Sequence, residues 1–109
     1  MKILVINPNT SESMTEHLAR ELMQLKAPET ELTVVNPEHG PVSIESAYDE
    51  ALAIPPTLAL IKQAEQDGYD AAVIACFSDP GLHAARELVS IPVIGIQEAT
   101  LHVAAQLGF

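Results

Sequence analysis

Cys76 is the only cysteine in the sequence. It stands in Ala75-Cys76-Phe77-Ser78-Asp79-Pro80-Gly81, where an apolar run gives way to turn residues. The pattern puts this thiol at a strand end, two to three residues ahead of a helix N-terminus. Free backbone N–H groups and the positive end of a helix dipole favour a thiolate there. Asp79 works against this if its carboxylate caps the helix and takes up those donors. The other reading of Cys76 is a buried side chain of modest size packing as an apolar residue. Ser78 either donates to a developing oxyanion or merely precedes the cap. Two further groups carry polar side chains after apolar runs: Asn7-Pro8-Asn9-Thr10 and Gly40-Pro41-Val42-Ser43-Ile44-Glu45. Their amides and hydroxyls suit a polar, uncharged ligand. Asn, Thr and Ser are equally at home in turns and caps, so for Asn7, Asn9, Thr10, Ser43 and Ser46 both roles stay open.

Other chemistries find less support. His17, His83 and His102 fall in helical stretches and His39 in a loop. No two are spaced one helical turn apart and no carboxylate cluster joins them, so no metal site is expected. His83 is conceivable as a base for Cys76, which would describe a cysteine hydrolase, but it sits about a turn into its helix. The sequence lacks a Gly-x-Gly-x-x-Gly segment, a Walker loop and an aromatic stacking platform, so no nucleotide cofactor is expected. A single cysteine excludes an internal disulfide. Acids outnumber bases 15 to 5, for a net charge of −10 with neutral histidines. Such a surface repels phosphate backbones and anionic membranes, so neither nucleic acid nor membrane is an expected partner. The apolar runs are too short to cross a bilayer, and the N-terminus lacks the longer apolar region and cleavage site of a signal peptide. The expected location is cytoplasmic.

The elements that must position Cys76 follow from hydrophobic patterning. At 109 residues, 48% apolar and 18% charged, the chain reads as one globular domain, 1–109. Four apolar runs predict strands at 3–6, 32–35, 71–76 and 92–96. The third is apolar throughout, as a strand buried on both faces must be. Met14, Leu18, Leu22 and Leu25 form one stripe of an amphipathic helix, with Ser13 and Glu16 at capping-box spacing. A second helix begins near Ser46, is broken or kinked at Pro55-Pro56, and ends by Gly68. Asp79-Pro80 announces a third that runs to about Val89, and a fourth runs from near Gln97 to Gly108. The order β-α-β-α-β-α-β-α predicts a four-stranded parallel α/β sheet flanked by helices, with flavodoxin-like order 2-1-3-4. The polar groups named above then gather at the carboxyl edge of the sheet, and strand order reverses between strands one and three. Open α/β sheets bind ligands in that crevice. A sheet of four strands also leaves apolar surface uncovered, which predicts a homo-oligomer.

The same residues resemble a known family. The opening Lys2-Ile3-Leu4-Val5-Ile6-Asn7-Pro8-Asn9-Thr10-Ser11, the Gly40-Pro41 and Ser43-Ile44-Glu45 segment, Ala51-Leu52-Ala53, and Ala75-Cys76-Phe77-Ser78-Asp79-Pro80-Gly81-Leu82 are similar to hydantoin racemases of the aspartate/glutamate racemase superfamily. The resemblance covers the whole chain and looks like the N-terminal half of a two-domain racemase. It implies a cofactor-independent racemase of 5-substituted hydantoins, or of allantoin, in which two thiols flank the substrate. One takes a proton from carbon and the other returns one to the opposite face. By motif match Cys76 is one of the pair, and Asn9, Thr10, Ser43, Phe77 and Ser78 supply substrate contacts. The second cysteine is absent here. The alternatives are an inactive truncated or ligand-binding fragment of the same fold, or a relative acting on amino acids of the Asp/Glu type.

Overall fold

The computed structural model describes residues 1–109 as β1 (Lys2–Ile6), α1 (Glu12–Leu25), β2 (Glu31–Val35), α2 (Ala47–Gln66), β3 (Ala71–Ile74), α3 (Leu82–Leu88), β4 (Val93–Gly95) and α4 (Ile96–Gln106). All strand pairs are parallel, in the order β2-β1-β3-β4. The expected sheet and its order are therefore observed. β1 and β3 lie side by side, Ile3 opposite Ala71 and Ile6 opposite Ile74. Their carboxyl ends, Ile6 and Ile74, finish level with each other.

The pleat divides the sheet into two unequal faces. Leu4, Ile6, Ala72, Ile74 and Val93 point to one side, where Ile61 and Ala64 of α2 and Leu82 and Ala85 of α3 close the core. Burying a side chain such as Ile61 or Ile74, both fully enclosed, is worth about 1.5–3 kcal/mol. The other face is covered less evenly. Val5 is buried there, whereas Val73 is half-buried and Ile94 is 41% exposed. α4 contributes no buried residue.

Three local expectations are corrected. α1 is capped by Ser11, whose hydroxyl accepts from the Met14 N–H, and Ser13 lies inside the helix. Its stripe is shallow: Met14 and Leu25 are exposed, and only Thr15 is fully buried. α2 starts at Ser46 as expected, but it runs unbroken through Pro55 and Pro56. The two prolines remove bonds to the carbonyls of Ala51 and Leu52, residues on the exposed side where water can satisfy them. α3 begins only at Leu82. Its cap is Gly81, in the left-handed region at φ 77°, and no side chain caps it.

Candidate functional site

The site grows out of the ends of β1 and β3. The ladder continues one step past each strand, with the Asn7 N–H donating to the Val35 carbonyl and the Ala75 N–H to the Ile6 carbonyl, both at 2.8 Å. Beyond that step the chains diverge and leave a cleft of about 290 Å³. Asn7, Pro8 and Asn9 form one wall and Ala75, Cys76 and Phe77 the other. Ser43 and Ile44, Met14, and Ile96 complete it from three other segments. Cys76 is partly exposed, a free thiol with Sγ 3.6 Å from the Ser78 hydroxyl.

The Asn wall is fixed from behind. Asn7 is buried, and its Nδ2 donates to Asn9 Oδ1 at 2.8 Å and to Thr15 Oγ1 at 3.1 Å. Thr15 in turn donates to Asn36 Oδ1 at 2.7 Å. Asn9 Oδ1 also accepts from the Ser11 N–H at 2.9 Å, and Asn9 Nδ2 meets the Met14 sulfur at 3.0 Å. Asn7 is thus spent on holding the turn. The Asn9 amide retains one N–H beyond the one directed at Met14.

The Cys76 wall is fixed differently from the way its sequence reads. The Asp79 N–H donates to the Cys76 carbonyl at 2.9 Å and closes a turn. Asp79 is the one residue other than glycine with positive φ, 49°. Its carboxylate does not cap α3. It crosses to the start of α4 and accepts from the Gln97 and Glu98 N–H groups, each at 2.9 Å. The expected placement of Cys76 just ahead of a helix N-terminus therefore fails, because the turn stands between it and α3.

The remaining expected residues separate into neighbouring hollows. Ser78 lines a second hollow, of about 280 Å³, with Asp79, His83, Gln97, Glu98 and His102. Cys76 does not line it, so the structure does not bring His83 together with the thiol in one cavity. Thr10 lies on the far side of the β1 turn, in a hollow with Thr15 and Asn36, and its N–H donates to the Pro41 carbonyl. Asn9, Ser43, Cys76 and Phe77 share the first cleft. Met14 is the lining residue that sequence reasoning assigned elsewhere, to the core stripe of α1. Its position in the helix turn facing the sheet's carboxyl edge was the available signal.

Charge is organised at α4. Arg86 of α3 makes two bonds to the Glu98 carboxylate, at 2.7 and 3.1 Å, and two to the Val93 carbonyl. The hydrogen bond from Arg86 holds the Glu98 carboxyl below its ordinary value of 4.5, and the same bond raises the Arg86 guanidinium. No three His, Cys, Asp or Glu side chains gather where they could hold a metal ion. No helix is long and apolar enough to cross a membrane.

Comparison with known proteins gives a consistent picture. The sequence pattern of the family described as Asp/Glu/Hydantoin racemase matches residues 3–108. A hydantoin racemase from Pseudomonas sp. (strain NS671) is 49% identical over 98% of this chain and 43% of its own length. One from Paenarthrobacter aurescens is 45% identical over 96% of this chain and 45% of its own. The solved structure of an allantoin racemase from Klebsiella pneumoniae superposes with a TM-score of 0.92 at 48% identity, over 97% of this chain and 43% of that one. The chain spans less than half the length of these relatives.

Proposed function

The chain belongs to the Asp/Glu/Hydantoin racemase family, and on that premise we propose that Cys76 is a proton-transfer thiol acting on a 5-substituted hydantoin or on allantoin. As thiolate it takes the proton from the ring carbon that lies between the amide carbonyl and a ring nitrogen. An S–H bond forms, and the C–H electron pair moves onto the carbonyl oxygen as a planar enolate. Donors beside that oxygen stabilise the developing charge, a role suited to the Asn9 amide and the backbone around Phe77 and Ser78. Ser43 and Phe77 bound the ring, and Thr10 stands one turn away. Inversion then needs a proton delivered to the opposite face. Cys76 is the only thiol in these 109 residues, so a second thiol acid would have to come from the remainder of a longer protein or from a second copy.

One observation carries this reading: a partly exposed sulfur on one wall of a cleft whose other wall presents the Asn9 amide. The test is solvent deuterium incorporation at the chiral carbon of a 5-substituted hydantoin. The wild-type chain should exchange above the uncatalysed rate, and Cys76→Ala should lose that exchange by at least about a hundredfold. Exchange that survives the substitution removes Cys76 from the mechanism. The lone cysteine favours one second reading, a ligand-binding role without turnover. Saturable binding of the hydantoin with neither exchange nor loss of optical rotation would select it.

A further inference from the structure

Two facts about Asp79 are unexpected for a residue in a surface turn. Its backbone holds φ 49°, a region that residues with a Cβ enter at a cost. Its carboxylate is fully engaged by an element 18 and 19 positions further along the chain, through the Gln97 and Glu98 N–H groups. The receiving side is shaped for it. A Cβ built on Gly95 would overlap the Asp79 carboxyl group, so only glycine leaves room for the carboxylate at this junction. The same residue ties back to the backbone of Cys76, its N–H donating to the Cys76 carbonyl. Ile96, the first residue of α4, lines the Cys76 cleft.

We propose that Asp79 is a positioning residue for Cys76: it locks the Cys76 turn to the β4–α4 junction, with Gly95 as its seat, and so fixes the sulfur at the mouth of the cleft. This rests on the reading of Cys76 as the proton-transfer thiol. The left-handed region costs Asp less than most residues with a Cβ, and the two α4 amides hold the side chain in that arrangement. Release of the carboxylate frees the turn, and the sulfur loses its fixed place relative to the Asn9 wall. The clamp takes up the Gln97 and Glu98 N–H groups, so those two amides serve geometry and are not donors to a ligand.

The test reads the sulfur directly, through its alkylation by iodoacetamide as a function of pH. Asp79→Gly removes the carboxylate and relieves the backbone at the same time, and a circular dichroism spectrum like that of wild type checks that the fold is retained. Gly95→Ala keeps the charge but fills the seat. Each should change the limiting alkylation rate at high pH by fivefold or more. Asp79→Asn tolerates the left-handed backbone but keeps one acceptor and sets an NH2 against the second amide, so it should change the rate by less than Asp79→Gly without restoring the wild-type value. Gln63→Ala, which removes only an exposed side-chain hydrogen bond to Asp67 at the far end of α2, should leave the rate unchanged. Wild-type rates in both Asp79→Gly and Gly95→Ala, or an equal change in Gln63→Ala, would overturn the proposal. No substrate enters this measurement. Failure of the Cys76 reading shows instead in the deuterium exchange of the Cys76→Ala chain.

Discussion

At the residue scale, the sequence left Asn7 and Asn9 with two possible jobs, and the structure divides the jobs between them. Asn7 is 3% exposed and spends its Nδ2 on Asn9 and Thr15. Its amide is a support for the neighbouring one. Asn7→Ala removes two buried donor contacts and leaves a small void behind the Asn9 wall. It should lower the unfolding free energy by about 1–3 kcal/mol, seen as a lower urea midpoint with unchanged slope. An unchanged midpoint would mean that water replaces the amide without loss. The spacing Asn-x-Asn is legible in the sequence. Which of the two keeps an uncommitted N–H is not, because Thr15, which helps decide it, comes from the next helix.

At the element scale, α4 is the least embedded helix and the one most dependent on polar attachment. It buries no residue, yet its first turn is held at three points: the Asp79 carboxylate on the Gln97 and Glu98 amides, and the Arg86 guanidinium on the Glu98 side chain. The Arg86–Glu98 pair has a definite pH signature. The Glu98 carboxyl is held below 4.5 in the folded chain, chiefly by the hydrogen bond from Arg86. A carboxyl lowered by folding contributes stability that is present above its unfolded value and is lost as pH falls through the folded value. Glu98→Gln should therefore be less stable than wild type at pH 6, and the difference should shrink below pH ~4.5 as the wild-type carboxyl protonates. Denaturant midpoints measured between pH 6 and pH 3 would show it, and a difference constant across that range would contradict it. The strands were legible because a parallel sheet covered by helices demands near-continuous apolar runs, as in Ala71 to Ile74. The clamp was not. Asp79-Pro80 reads locally as the start of α3, whereas the carboxylate's true partners lie beyond β4. Pro55 and Pro56 misled for the opposite reason: their local cost is real, but the packing of Ala53, Ile61 and Ala64 outweighs it.

At the scale of the whole molecule, the uneven cover of the sheet makes a second copy of the chain the expected neighbour. Ile94 on the less covered face is 41% exposed, and Val103 on α4 and Leu107 at its C-cap are 56% and 70% exposed. Ala99, Val103, Ala104, Leu107 and Phe109 line one apolar hollow on that helix. Stable interfaces bury on the order of 1,200–2,000 Å² in total, with an apolar centre, and this surface can supply such a centre. Against association stands the net charge of −10 on each chain. The two effects respond oppositely to salt. Raising ionic strength screens the repulsion between like-charged copies and leaves apolar burial intact or strengthened. Sedimentation at micromolar concentration should show a dimer or larger assembly, and the association should tighten from 0.05 to about 0.5 M salt as the Debye length shortens. Placing lysines on the helix with Val103→Lys and Leu107→Lys should return the chain to monomer with an unchanged circular dichroism spectrum. A wild-type chain that sediments as a monomer throughout would contradict self-association. On the proposed mechanism, the second proton would then have to come from a different polypeptide segment or from solvent.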